Sequence, residues 1–265
     1  LHTDTRRQRQ MCIRDRIGSG AGAVGELTVS GGTSSGAHGG GNGIFVGVNG
    51  GNGTLIIEKE ATYRSQGANM EVAIGDSFGG TGFISVSGEL QIYKFLNINN
   101  GTLEMQPTGK NNLFNSNNPS TIGAAGTLSF IIDGPNIGAL ERSTTNGLNL
   151  TIDPAANLMV TLGGTFVIND SWTLMDYTTL NGQFSQGTSF TNQQGYTFTV
   201  DYGTGSNDVV TLTLTSDSER PKIDSLTANP AAISSGSSST IAWIASNFDT
   251  LTLDPGGIDA TALSE

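Results

Sequence analysis

The chain of 265 residues has one cysteine, Cys12, so no internal disulfide holds it together. Charged residues make up 13% and aromatics 7%, which leaves few groups for ion-pair networks or aromatic boxes. No run of 18 apolar residues occurs, and this excludes a membrane-spanning helix. Glu, Lys, Leu and Ala do not dominate, which excludes a coiled coil or helical bundle. The glycines lack a three-residue period, which excludes a collagen triple helix. Basic residues number 12 against 23 acidic ones, a net charge of −11, so there is no general attraction for nucleic acid phosphates.

The one basic cluster lies at the start. Residues 1–16 hold Arg6, Arg7, Arg9, Arg14 and Arg16 with Asp4 and Asp15, and the remainder is more acidic still. The segment has no apolar core of the kind a signal peptide needs. Residues 3–16, above all Met11-Cys12-Ile13-Arg14-Asp15-Arg16, resemble translated sequencing-adapter read-through from environmental assemblies. On that reading residues 1–16 are an artefact, the original N-terminus is missing, and the lack of a signal peptide says nothing of localisation. The alternative is a basic disordered arm that meets nucleic acid or a membrane surface.

What the chain has in abundance is glycine, 38 residues, and with serine, threonine and asparagine this fills nearly half of it. The glycines are placed at regular intervals. Gly18, Gly47 and Gly75 recur every 28 or 29 residues, and so do Gly25, Gly53 and Gly82. Looser echoes begin at Gly101, Gly126 and Gly164. Between the markers Leu27, Val29, Leu55 and Ile57 alternate with Thr28 and Ile56, the two-residue period of a strand. Gly-Gly and Asn-Gly pairs supply the corners. One such unit buries too little to hold itself, so units must stack. The pattern predicts an all-β chain in which residues 17–216 form a parallel β-helix, or solenoid. An antiparallel sandwich of short strands is the runner-up.

Near residue 171 the aromatic content rises, through Trp172, Tyr177, Phe184, Tyr196, Phe198 and Tyr202, and the strands lengthen. An open sheet end invites aggregation and needs closing. Residues of about 171–215 are therefore expected to form a C-terminal β cap.

The repeats, the segment SWTLMDYTTLNGQF and the close YTFTVDYGTGSNDVVTLTLT resemble autotransporter-type passenger regions. Similar repeats occur in PEP-CTERM-associated surface proteins of Gram-negative bacteria. The resemblance covers residues 17–216 and implies a secreted or surface-displayed β-helix. It transfers no catalytic residue, because the shared positions are glycines and core apolar residues. The export signal and membrane anchor of that family are not found in the sequence.

Residues 217–221 are polar and end in Pro221, which marks a linker. Residues 222–265 resemble the opening of a bacterial immunoglobulin-like (Ig-like) domain, with Trp243 expected in its core. Such a sandwich takes about 100 residues, so an incomplete one is expected here, either poorly packed or leaning on the β-helix.

Candidate chemistry is sparse. Gly20, Gly22 and Gly25 fit the dinucleotide-binding spacing, but a strand pattern follows where a helix is required. The run Gly203-Thr204-Gly205-Ser206-Asn207-Asp208 is similar to a calcium-binding Gly-Gly-x-Gly-x-Asp unit. It is a single copy, with Thr204 and Ser206 where glycines belong. Asp133, Asp153, Asp170 and Asp176 are the candidates for an acid and base pair on a polysaccharide-active scaffold. A lyase also wants a nearby base, and outside the first segment the cations are Lys59, Arg64, Lys94, Lys110, Arg142, Arg220 and Lys222. His38 would have to serve any triad or zinc set, and no GxSxG elbow accompanies it. Asn52, Asn100, Asn149 and Asn169 sit in glycosylation-type triplets, which turn geometry explains as well.

No catalytic, cofactor or metal residue is therefore assigned, and no cofactor is expected. The expected function is that of a fragment of a bacterial secreted or cell-surface β-helical protein, a structural stalk or adhesin-like display region. Its expected partners are glycans or other cell-surface molecules, not nucleic acid, with the outer membrane reached only through an anchor absent from this sequence. A lyase or glycosidase on the same scaffold is the alternative.

Overall fold

A computed structural model of the chain describes residues 15–36, 43–65, 71–113, 119–142, 148–206, 208–217, 222–247, 252–253 and 258–259. All regular structure among them is β, and no helix occurs. Short strands wind into a three-faced parallel solenoid of about five turns, as the glycine repeat predicts.

The first face stacks Asp15–Ile17, Ile44–Val46, Glu71–Ile74, the start of Phe95–Met105, the start of Ser120–Asp133, Asn149–Ile152 and Thr179–Asn181. The second stacks Val24–Val29, Asn52–Ile57, Thr81–Val86, residues 101–105, residues 127–133 and Asn157–Gly163. The third stacks Gly32–Gly36, Ala61–Ser65, Glu89–Ile92, Lys110–Leu113, Ala139–Arg142 and Ser171–Tyr177. The first strand includes Asp15 and Arg16, and the Arg16 guanidinium lies over the Phe45 ring.

Register follows the sequence markers. Gly25, Gly53, Gly82, Gly101 and Gly126 stand in one column. The backbone of the first face runs close beneath this corner, and a Cβ at Gly53 or Gly82 would enter it. Inward from this column Leu27, Leu55, Ile84, Leu103, Leu128 and Leu158 form a second column. Val29, Ile57, Val86, Met105, Phe130 and Val160 form a third. Apart from Leu27, which is exposed, these columns belong to the core, and their alternation with polar residues sets which side of each strand is buried.

Two details depart from the sequence reading. The period is not constant. Gly101 follows its partner Gly82 by only 19 residues, because this turn shortens its connections, most of all by dropping the corner loop between the first and second faces. There the single strand Phe95–Met105 bends from the first face into the second through a bulge between Ile98 and Asn100. The echo at Gly164 is not a rung, because the second-face strand there is Asn157–Gly163 and Gly164 opens a loop.

The far end of the solenoid is closed by antiparallel strands. Ser171–Tyr177 pairs with Asp208–Ser216, which pairs with Thr197–Asp201, which pairs with Ser189–Thr191. Their aromatic residues pack on the last rungs. Phe166 meets Trp172 and Tyr196 edge-on, and the Trp172 indole N–H donates to the Gly134 carbonyl at 3.1 Å.

Beyond residue 217 the described residues form a hairpin, Lys222–Asn229 with Thr240–Ser246, and a short pair, Thr252–Leu253 with Ile258–Asp259. Leu226 and Trp243 face each other across the hairpin. Trp243 is half-buried rather than in a core, and Ile223, Leu226, Ile241 and Ile244 are exposed. Among the described residues this hairpin is a separate two-stranded sheet, with no further strand paired to it.

Candidate functional site

The residues singled out for chemistry are spread over separate corners and faces. Gly20 and Gly22 lie in a turn that stacks on the next rung, with their N–H groups donating to the Val48 and Gly50 carbonyls. The strand Val24–Val29 follows directly, so nothing there cradles a phosphate. Asp153 accepts the Ala155 N–H at 2.9 Å, and Asp170 accepts the Val167 N–H at 2.9 Å. Both carboxylates hold turns. Asp176, on the third face, pairs with Arg142 at 2.7 Å. Asp133 ends a second-face strand beside Gly164. His38, Cys12 and Arg220 lie outside the described residues.

The described residues of the calcium-like run, 203–206 and Asp208, lie between Thr197–Asp201 and the rest of Asp208–Ser216. Asp208 accepts N–H bonds from Thr204 at 3.1 Å and from Val209 at 2.9 Å, while Asp201 accepts from Gly203 at 2.9 Å. The bonds from Val209 and Thr204 hold the Asp208 carboxyl below the usual carboxylate range. Its oxygens are committed to the turn. No group of three or more metal-ligating side chains converges among the described residues. Next to this turn the buried Tyr177 hydroxyl donates to the Tyr202 carbonyl. Burial raises the Tyr177 pKa, and the charges of Asp208 and Asp201 raise it further.

The glycosylation-type asparagines are part of the solenoid's own bonding. Asn52 accepts from the Thr81 hydroxyl, and Asn149 accepts from the Thr179 hydroxyl one rung on. Asn97 and Thr121 repeat the arrangement at 2.7 Å. Asn100 donates to the Gly80 carbonyl at 3.0 Å, and Asn169 adopts a positive φ of 78° in its turn.

The surface best formed for recognition is the outside of the second face. One outward column reads Glu26, Thr54, Phe83, Thr102, Thr127 and Asn157. The next reads Thr28, Ile56, Ser85, Glu104, Ser129 and Met159. Successive rungs lie about 4.8 Å apart. The half-buried Phe83 therefore stands between Thr54 and Thr102 in the outward column. Beside it Glu104 accepts from Ser85 at 3.2 Å and from the Gln106 amide at 2.6 Å. An aromatic ring flanked by fixed polar groups can stack on an apolar ligand surface while hydrogen-bonding its rim. The abundance of threonines is plain from composition. The position of Phe83 among them needed the strand register.

No protein-family model, curated protein or solved structure matches this chain.

Proposed function

We propose that the chain is a rigid display rod, a stalk or adhesin-like segment of a bacterial secreted or cell-surface protein, whose second face contacts glycans. The carrying observation is the in-register outward column Thr54–Phe83–Thr102 with Glu104 and Ser85 beside it. A sugar ring offers one apolar face and a rim of hydroxyls, which suits a flat aromatic between hydroxyls and a carboxylate. Many weak contacts along a rod add through multivalency. The solenoid and its repeats support the likeness to autotransporter-type and PEP-CTERM-associated passengers, and surface localisation is part of the same reading. The hairpin Lys222–Ser246, with its exposed apolar residues, is read as the first pair of an Ig-like module.

The polysaccharide-active alternative needs two carboxylates facing each other across a groove. Asp153 and Asp170 are tied to their own turns and Asp176 to Arg142, so they give that reading no pair.

A glycan array probed with the full chain tests the binding part. Binding that falls at least tenfold in Phe83→Ala, with the melting temperature retained, supports the second face. Binding unchanged in Phe83→Ala moves the site elsewhere, and no binding above background removes glycans as partners.

A further inference from the structure

Six asparagines of the chain stand directly before a glycine, at positions 42, 49, 52, 100, 146 and 181. Such a pair can lose ammonia, because the glycine carries no side chain to keep its backbone nitrogen from the asparagine amide. The reaction needs both groups free to approach one another, so the fold selects among the pairs. Four lie wholly within the described residues: Asn49-Gly50, Asn52-Gly53, Asn100-Gly101 and Asn181-Gly182.

Three of these are held. The Asn52 side-chain oxygen accepts from the Thr81 hydroxyl, and Gly53 lies in a strand paired on both sides. The Asn100 amide donates to the Gly80 carbonyl at 3.0 Å, and Gly101 is likewise paired on both sides. Asn49 is tied at two points, its side-chain amide donating to the Ser19 hydroxyl oxygen at 3.2 Å and its backbone N–H to the Asp76 carboxylate. Its turn is closed by the Gly51 N–H on the Val48 carbonyl at 3.3 Å.

Asn181 differs on each count. It ends the strand Thr179–Asn181, and both it and Gly182 are exposed. Its side chain makes no hydrogen bond to another described residue, and the Gly182 N–H makes none to a described backbone carbonyl. Gly182 itself has left the strand, with a φ of 90°.

We propose that Asn181 is a self-modification site, which converts to aspartate and isoaspartate while Asn49, Asn52 and Asn100 remain amides. The Gly182 backbone nitrogen attacks the Asn181 side-chain amide carbon and gives up its proton. The side-chain nitrogen takes that proton and leaves as ammonia, closing a five-membered imide. Water then adds to either imide carbonyl and opens the ring. One opening gives aspartate, and the other gives isoaspartate, in which the main chain runs through the β-carbon. No oxidant or reductant is required. Either product sets a carboxylate at the end of the uncharged outward column Asn97, Thr121, Thr151 and Asn181. The extra main-chain carbon of isoaspartate falls after Thr179 and Leu180, so these keep their partners Asn149 and Leu150.

The folded full chain, held at mildly alkaline pH and sampled over time, tests this by peptide mapping. Mass spectrometry follows each asparagine for the gain that turns an amide into an acid, and fragmentation reads isoaspartate. Asn181 is expected to convert at least about tenfold faster than Asn49, Asn52 or Asn100. In urea concentrated enough to erase the strand signal in circular dichroism, the four rates are expected to become alike. An Asn181 that stays an amide in the folded chain overturns the proposal, as does a rate at any of the other three that matches it. A lead for Asn181 that persists undiminished in urea also overturns it, and assigns the rate to the local sequence instead of the fold.

Discussion

Gly47 lies directly beneath the Thr81 carbonyl of the next rung, so close that a methyl group on its α-carbon would overlap the oxygen. Its φ of 64° is also one that side-chain-bearing residues rarely adopt. The corner between the first and second faces is tight because the chain reverses there while rungs remain at hydrogen-bonding distance. Gly47→Ala is expected to destabilise the protein by at least about 3 kcal/mol, from the clash and the strained φ together. Gly79→Ala, with φ at 85° and nothing within 4 Å of the new carbon, carries the strain alone and is expected to cost about 1 kcal/mol. Urea denaturation of both variants separates the two contributions.

The Leu27 column gives a comparison within one register. Leu103 is fully buried and Leu27 is not. Leu103→Ala removes a filled site between two rungs and is expected to cost about 2–5 kcal/mol. Leu27→Ala is expected to cost under about 1 kcal/mol, since less of its area leaves water. Equal losses at the two positions would mean that Leu27 is covered in solution.

Gln194 works through both halves of its amide. Gln194→Ala leaves the Leu162 N–H and carbonyl without their partners and is expected to cost about 1–3 kcal/mol. Gln194→Glu keeps an acceptor for the N–H, but its carboxylate faces the carbonyl with no proton to donate. Its deficit should shrink as the pH falls below about 4.3, where the acid regains a donor. Thermal melts of the two variants between neutral and acid pH check this.

The alkaline limit is set partly by Tyr177 and Tyr202, both raised from the ordinary value of 10.0, chiefly by burial. Between that value and the raised one the folded state binds more protons than the unfolded state. Stability is therefore complete below pH 10 and is lost as the pH rises through the folded pKa. Tyr177→Phe is expected to flatten the fall of melting temperature above pH 10, while lowering it near neutrality through loss of the bond to the Tyr202 carbonyl.

Much of the architecture is written locally. A column glycine such as Gly53 is required wherever the chain must pass close to its neighbour, and Leu55 and Ile57 recur with it because each rung buries the same side. Two glycine markers with alternating apolar residues were thus enough to read a parallel solenoid, and the aromatic residues from Trp172 onward were enough to read a closing element.

Other features depended on contacts between distant rungs. The loss of a corner loop after Gly82 left no mark in composition, so Gly101 could not be placed opposite Gly82 until the strands were in register. Phe83 between Thr54 and Thr102 is a relation across three rungs, invisible to any window of sequence. Gln186, Asn192 and Gln194 read as ordinary polar loop residues, and only their approach to Leu158, Val160 and Leu162 makes them the seal of an edge. The sequence by itself determined the strand period, the tight corners and the burial side of each rung, because these follow from steric limits and apolar spacing within one turn. Tertiary structure decided the register, the outward columns and the side-chain seal on Asn157–Gly163, because each depends on which group from another rung lies within hydrogen-bonding reach.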